Sequence, residues 1–172
     1  MSIGCLIEEG TPLLWRGPMV NKALQQLIQE VRWGDLEFLL IDLPPGTGDA
    51  QLTLVQTLSL TGAILVTTPQ TASVSVALRG AALFSHLEVP ILGVVENMSS
   101  PEGLSTTPVF GSGGGQRAAE ALNVPLLGKI PLDGQICRSA DEGKPFLTEK
   151  NNSVASNTVL DIARQIITSC QK

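Results

Sequence analysis

The 172 residues predict a single α/β domain with a doubly wound, mostly parallel sheet and helices on both faces. Three observations carry this. Short β-rich apolar runs alternate with amphipathic helical stretches, the pattern of repeated strand–helix units joined by right-handed crossovers. Hydrophobic residues make up 43% of the chain but aromatics only 3%, so Leu, Ile, Val and Ala fill the core, as between helices and a parallel sheet buried on both faces. The polar and glycine-rich turns follow the apolar runs, at the strand ends where such sheets bind ligands.

In chain order, the strand candidates are 2–7 (SIGCLI), 38–42 (FLLID), 62–68 (GAILVTT) and 91–97 (ILGVVEN), with 125–131 (PLLGKIP) as a shorter fifth. Each is bounded by Gly, Pro or Asp and is too short for a helix. The first helix opens at Pro18, after which Val20, Leu24, Leu27, Ile28 and Val31 recur at helical spacing until Trp33-Gly34 ends the run. A second spans 49–60 with Asp49 placed to cap it, and others span 73–88 and 113–123. The last covers 153–170, where Val159, Ile162, Ala163, Ile166 and Ile167 form one stripe behind a Ser153 cap. Residues 99–115 are the long irregular segment, and no internal repeat is visible.

The balance of charge and cysteine narrows the function. A net charge of −5 and a pI near 4.8 argue against nucleic acid, whose phosphates call for clustered Lys and Arg. Cys5, Cys137 and Cys170 are odd in number, widely spaced and without a CxxC pair, so neither a disulfide framework nor a self-contained zinc site is expected. The opening residues lack the charge pattern of a targeting segment, and the apolar runs are shorter than a membrane span. The expectation is a soluble, cytoplasmic protein with no membrane partner.

Asp42 carries the sharpest chemical signal. A carboxylate at the end of a buried strand can accept hydrogen bonds from Mg²⁺-bound water, and Mg²⁺ keeps several waters while using few protein carboxylates. Gly46 and Gly48 allow close approach of a phosphate oxygen, and Pro44-Pro45 stiffens the turn. Asp42, Gly46 and Asp49 are therefore the candidate catalytic residues, although Asp42 equally fits an ordinary helix-capping turn. Asn97 ends the 91–97 run with one acceptor and two donors, which suits an adenine edge, but by itself it reads first as a turn former. Pro131, Leu132 and Asp133 either line a purine pocket or turn a strand into a helix. FGSGGG (110–115) lacks the Lys-Ser/Thr of a phosphate loop and follows no clear strand, so it reads as a flexible turn. His86, at a helix end beside Glu88, reads as a solvated surface residue.

Six blocks together carry a resemblance. MSIGCLIEEGTPLLWRGPMV, WGDLEFLLIDLPPGTGDAQLTL, GAILVTTPQ, VPILGVVENMS, FGSGGG and VPLLGKIPLD, in this order, are similar to the Mrp-type (ApbC-like) P-loop ATPases that carry iron–sulfur clusters, relatives of MinD and ParA. The resemblance implies a homodimeric ATPase with ATP and Mg²⁺ as cofactors and an iron–sulfur cluster destined for apo iron–sulfur proteins. It implies that Asp42 positions Mg²⁺, that Gly46 belongs to the γ-phosphate switch, and that Asn97 with Pro131, Leu132 and Asp133 borders the adenine.

Two departures accompany it. No GKGGVGKS-like stretch occurs in these residues, so the resemblance implies a short or truncated form, the C-terminal portion of the family fold, which pairs with itself or with a full-length relative. The place where family members carry CPxC reads SSPEGLSTTPVFG, so cluster binding by this chain is not implied, and its cysteines are expected to be buried small apolar residues. A non-catalytic interaction protein on an ATPase-like scaffold is the alternative. A MinD-like positioning ATPase is disfavoured by the absence of a terminal amphipathic membrane helix.

Overall fold

A computed structural model describes residues 2, 17–43, 49–100, 108–148 and 152–171. The chain divides into two compact units, Met1–Leu60 and Thr61–Lys172.

In the first unit, helix α1 (Gly17–Gln29) packs against helix α2 (Asp49–Thr57). The spacing of α1 explains its buried side: Val20, Leu24, Leu27 and Ile28 are half-buried, while Lys22, Gln25, Gln26 and Gln29 face water. Trp33 Nε1 donates to the Ile28 carbonyl at 3.3 Å, and Gly34 takes a left-handed φ of 68°, which turns the chain away from the helix. Helix α2 buries Leu54 and Val55.

The expected strand at 38–42 does not form. Phe38, Leu39 and Leu40 are exposed, Leu40 by 83%. A strand is completed by a neighbour that takes its backbone hydrogen bonds, and the described residues of this unit contain no other strand. The expected strand at 2–7 lies outside the described residues except for Ser2, as do Cys5, Gly46 and the rest of the 44–48 turn.

The second unit is built on a parallel sheet of three strands in the order β1 (Ala63–Thr67), β2 (Ile91–Ser99), β3 (Leu126–Pro131), with β2 central. Helix α3 (Thr71–His86) connects β1 to β2, and helix α4 (Gly114–Leu122) connects β2 to β3. Side chains alternate across the sheet. Val94 faces Val74 of α3 and Ala118 and Ala119 of α4, while Val95 and Leu127 face Ile162 of helix α6 (Val154–Cys170). This gives the expected parallel sheet with helices on both faces. Ser153 caps α6 as expected, accepting from Ser156 N at 3.1 Å.

One helix was open in the sequence only as one of two readings of the 131–133 turn. Helix α5 (Gly134–Asp141) follows β3 directly, capped by Asp133 Oδ1, which accepts from Gln135 N at 2.8 Å. Its sequence, GQICRSAD, places Ile136 and Ala140 on one side but is only 8 residues long, and it buries no residue. No helix among the described residues is long and apolar enough to cross a membrane.

Candidate functional site at the carboxyl ends of the strands

Within the second unit, the carboxyl ends of all three strands carry interlocked polar turns. At the end of β1, the buried Thr67 shares a 3.1 Å hydrogen bond with Ser73 Oγ, which also accepts from Thr68 N at 3.2 Å. This ties the turn to the start of α3.

The end of β2 is irregular. Glu96 stands opposite Lys129 and Ser99 opposite Pro131, so Asn97 and Met98 form a bulge against β3. Met98 adopts φ 56°, a left-handed conformation rare outside Gly, and its N–H donates to Asn97 Oδ1 at 2.8 Å. One acceptor of Asn97 is thus already used, and its NH₂ donors remain for a ligand. Ser99 O accepts from Leu132 N at 2.9 Å, which joins the bulge to the Pro131–Asp133 turn. Ser99, two residues beyond Asn97, is thus the residue tied to the turn of Pro131, Leu132 and Asp133. Asp133 serves as the cap of α5, one of the two roles its sequence position allowed.

Sequence reasoning missed the group that holds this region together. Glu96 is 2% exposed, and its carboxylate accepts from Ser99 Oγ at 2.8 Å and from Gly115 N at 2.6 Å. The available signal was an acidic residue closing a strand otherwise buried on both faces, where charge is rare unless satisfied.

Glu96 also changes the reading of FGSGGG. The segment is not a loose turn: a Cβ on Gly114 would lie 2.6 Å from the carbonyl carbon of Pro69, and one on Gly115 would lie 2.6 Å from Glu96 Cβ. The glycines are needed for close packing of α4 against β1 and β2. The amide at the start of α4 that would greet a phosphate is taken by Glu96. Arg117, exposed on the same helix, braces the arrangement by donating to Ser112 O at 3.0 Å and Pro69 O at 3.2 Å.

Asp42 belongs to the other unit and is exposed; Asp49 is the first residue of α2. An exposed carboxylate fits a Mg²⁺ held through water, since that ion keeps most of its hydration shell. No group of three His, Cys, Asp or Glu residues able to hold a metal occurs among the described residues. The expected burial is not met at the two described cysteines: Cys137 is exposed, on a helix that buries no residue, and Cys170, the last residue of α6, is half-buried. His86 is exposed at the end of α3, as expected.

A parallel sheet between helix layers, with interlocked turns at its carboxyl edge, defines an α/β protein of the nucleotide-binding class. The fold matches MinD from Pyrococcus furiosus with a TM-score of 0.64 and 24% identity, covering 87% of this chain and 57% of that one. It also matches a nucleotide-binding protein from Archaeoglobus fulgidus, in complex with ADP, with a TM-score of 0.62 and 31% identity over 80% of this chain and 60% of that one. The family model of NUBPL iron-transfer P-loop NTPases of the ParA group matches residues 1–167, and the chain belongs to this family. Relatives include an iron–sulfur cluster carrier protein of Synechocystis sp., 45% identical over 170 residues (96% of this chain, 48% of the relative). The iron–sulfur cluster transfer protein NUBPL of Dictyostelium discoideum is 43% identical over 170 residues (97% and 53%). The chain spans about half the length of these curated relatives.

Proposed function

We propose that these residues form the switch and base-side portion of an ATP-dependent, cytoplasmic iron–sulfur cluster carrier. The supporting observation is the Asn97 bulge joined to the Pro131–Asp133 turn at the carboxyl edge of a parallel sheet, in a chain 45% identical to a carrier over nearly its whole length. In this reading Asp42 orders Mg²⁺ through water, Gly46 and Asp49 flank the γ-phosphate, and Asn97 reads the adenine edge with its free NH₂. Leu132 N–H and Asp133 Oδ1 are already engaged, so the turn offers the base the half-exposed Leu132 side chain and its backbone carbonyls. The cluster is cargo, passed to apo iron–sulfur proteins by a dimer of this chain or a pair with a longer relative. With no CxxC in the sequence, ligation by its own thiols is not part of the proposal.

Most triphosphate affinity in this class comes from one glycine loop and its lysine, which these 172 residues do not contain. On its own the chain is expected to show no saturable ATP binding at micromolar concentration by calorimetry. Joined to an N-terminal segment carrying a GKGGVGKS phosphate loop, it is expected to bind and hydrolyse ATP, and Asp42→Asn to abolish turnover with the fold intact. In that form Asn97→Ala weakens ATP by about 1 to 3 kcal/mol and leaves inorganic tripolyphosphate unaffected. Equal losses for both ligands would remove the base contact. No turnover in the joined form would replace the carrier with the non-catalytic scaffold.

A further inference from the structure

We propose that Glu96 is a positioning residue that couples the Asn97–Met98 bulge to the first turn of α4, so that the pose of Asn97 and the seating of the 111–115 loop change together. The inference deepens the base-side reading of Asn97 and rests on it.

A buried carboxylate is tolerated only where its oxygens are satisfied. Glu96 meets that condition with two donors from different parts of the fold: Ser99 on its own strand and Gly115 on the helix that follows. Among the described residues both ion pairs lie on the surface, Lys144–Glu142 and Arg164–Asp161, so hydrogen bonds and the positive end of α4 compensate the charge.

Capping alone does not require this arrangement. Helices α5 and α6 are capped by the residue immediately before them, Asp133 and Ser153. The equivalent position of α4 is Gly113, left-handed and without a side chain, and the acceptor is supplied from β2 instead. The same carboxylate holds Ser99 at the far end of the bulge, and Ser99 O holds Leu132 N. Between the two anchored ends stand Met98, in its left-handed conformation, and Asn97, whose Oδ1 is fixed on the Met98 amide. Displacing Glu96 releases both ends of this linkage.

The test uses the ¹⁵N-labelled 172-residue chain. Glu96→Ala is expected to raise amide exchange about tenfold at both Gly115 and Met98 and to shift the Asn97 side-chain NH₂ resonances, with Gln135, held by Asp133, unchanged. Glu96→Gln restores protection, because its Oε1 can accept from Gly115 and its NH₂ can donate to Ser99 Oγ. Gly115→Ala, which forces a Cβ against Glu96, loosens Met98 from the far side of the linkage. Loosening of Gly115 alone in these variants makes Glu96 a helix cap and overturns the proposal. If Glu96→Ala does not fold, Gly115→Ala decides: Met98 unmoved overturns the proposal, and Met98 loosened supports it. Millimolar ADP is expected to move the Asn97 resonances in the wild type but not in Glu96→Ala, and tripolyphosphate to move them in neither. If ADP leaves wild-type Asn97 unmoved, the base-side reading falls, while the exchange rates still decide whether Glu96 couples the two elements.

Discussion

Residues 38–42 and 91–97 look alike on paper and behave differently in the molecule. FLLID and ILGVVEN are both apolar runs ending in a polar group, and both read as strands buried on two faces. The second is the central strand of a sheet, with Val94 and Val95 buried on opposite faces. The first has no ladder among the described residues of its unit and exposes Phe38, Leu39 and Leu40. The difference lies in the neighbours. An apolar run supplies side chains for a core, but a strand also needs partners for its N–H and C=O groups, and β2 has them on both sides.

The contrast can be sharpened by mutation, read from urea unfolding followed by far-UV circular dichroism. The largest effect is expected at the packed end: Ile162→Ala, which opens a void over Val95 and Leu127, costs about 3 to 4 kcal/mol. Next is Asp133→Ala, which removes the α5 cap for about 1 kcal/mol, while Asp133→Asn retains most of it. Smallest is Leu40→Ala, within about 0.5 kcal/mol at a side chain 83% exposed. A loss at Leu40 as large as that at Ile162 would mean that 38–42 is paired in solution, and the contrast would disappear.

What the sequence made legible follows the same division. The parallel sheet, its two helix layers and the Ser153 cap were readable, because alternating periodicity and right-handed crossovers leave few arrangements; the grouping of Asn97 with the 131–133 turn was implied only by the family resemblance. Helix α5 was readable only as one of two outcomes of the 131–133 turn, since its eight residues bury nothing and are too few to mark a helix by spacing. The role of Glu96 was not readable, since its partner Gly115 is brought to it only by the crossover through α4. Gly114 and Gly115 looked permissive in sequence and are restrictive in structure, because the pressure on them comes from Pro69 and Glu96, remote in the chain.

Gly114 has a consequence for inherited variation. Any missense codon at this position adds a β-carbon where the Pro69 backbone already sits, so size and polarity of the replacement matter little. Alanine, serine and arginine alleles should share one phenotype, low abundance of protein rather than altered chemistry, because the damage occurs before any ligand is met. A variant at Gly113, which has left-handed φ but no backbone crowding, should grade with the residue introduced, Asn being the mildest. Two adjacent glycines thus differ as mutational positions: at one every replacement is expected to act alike, at the other the identity of the replacement decides.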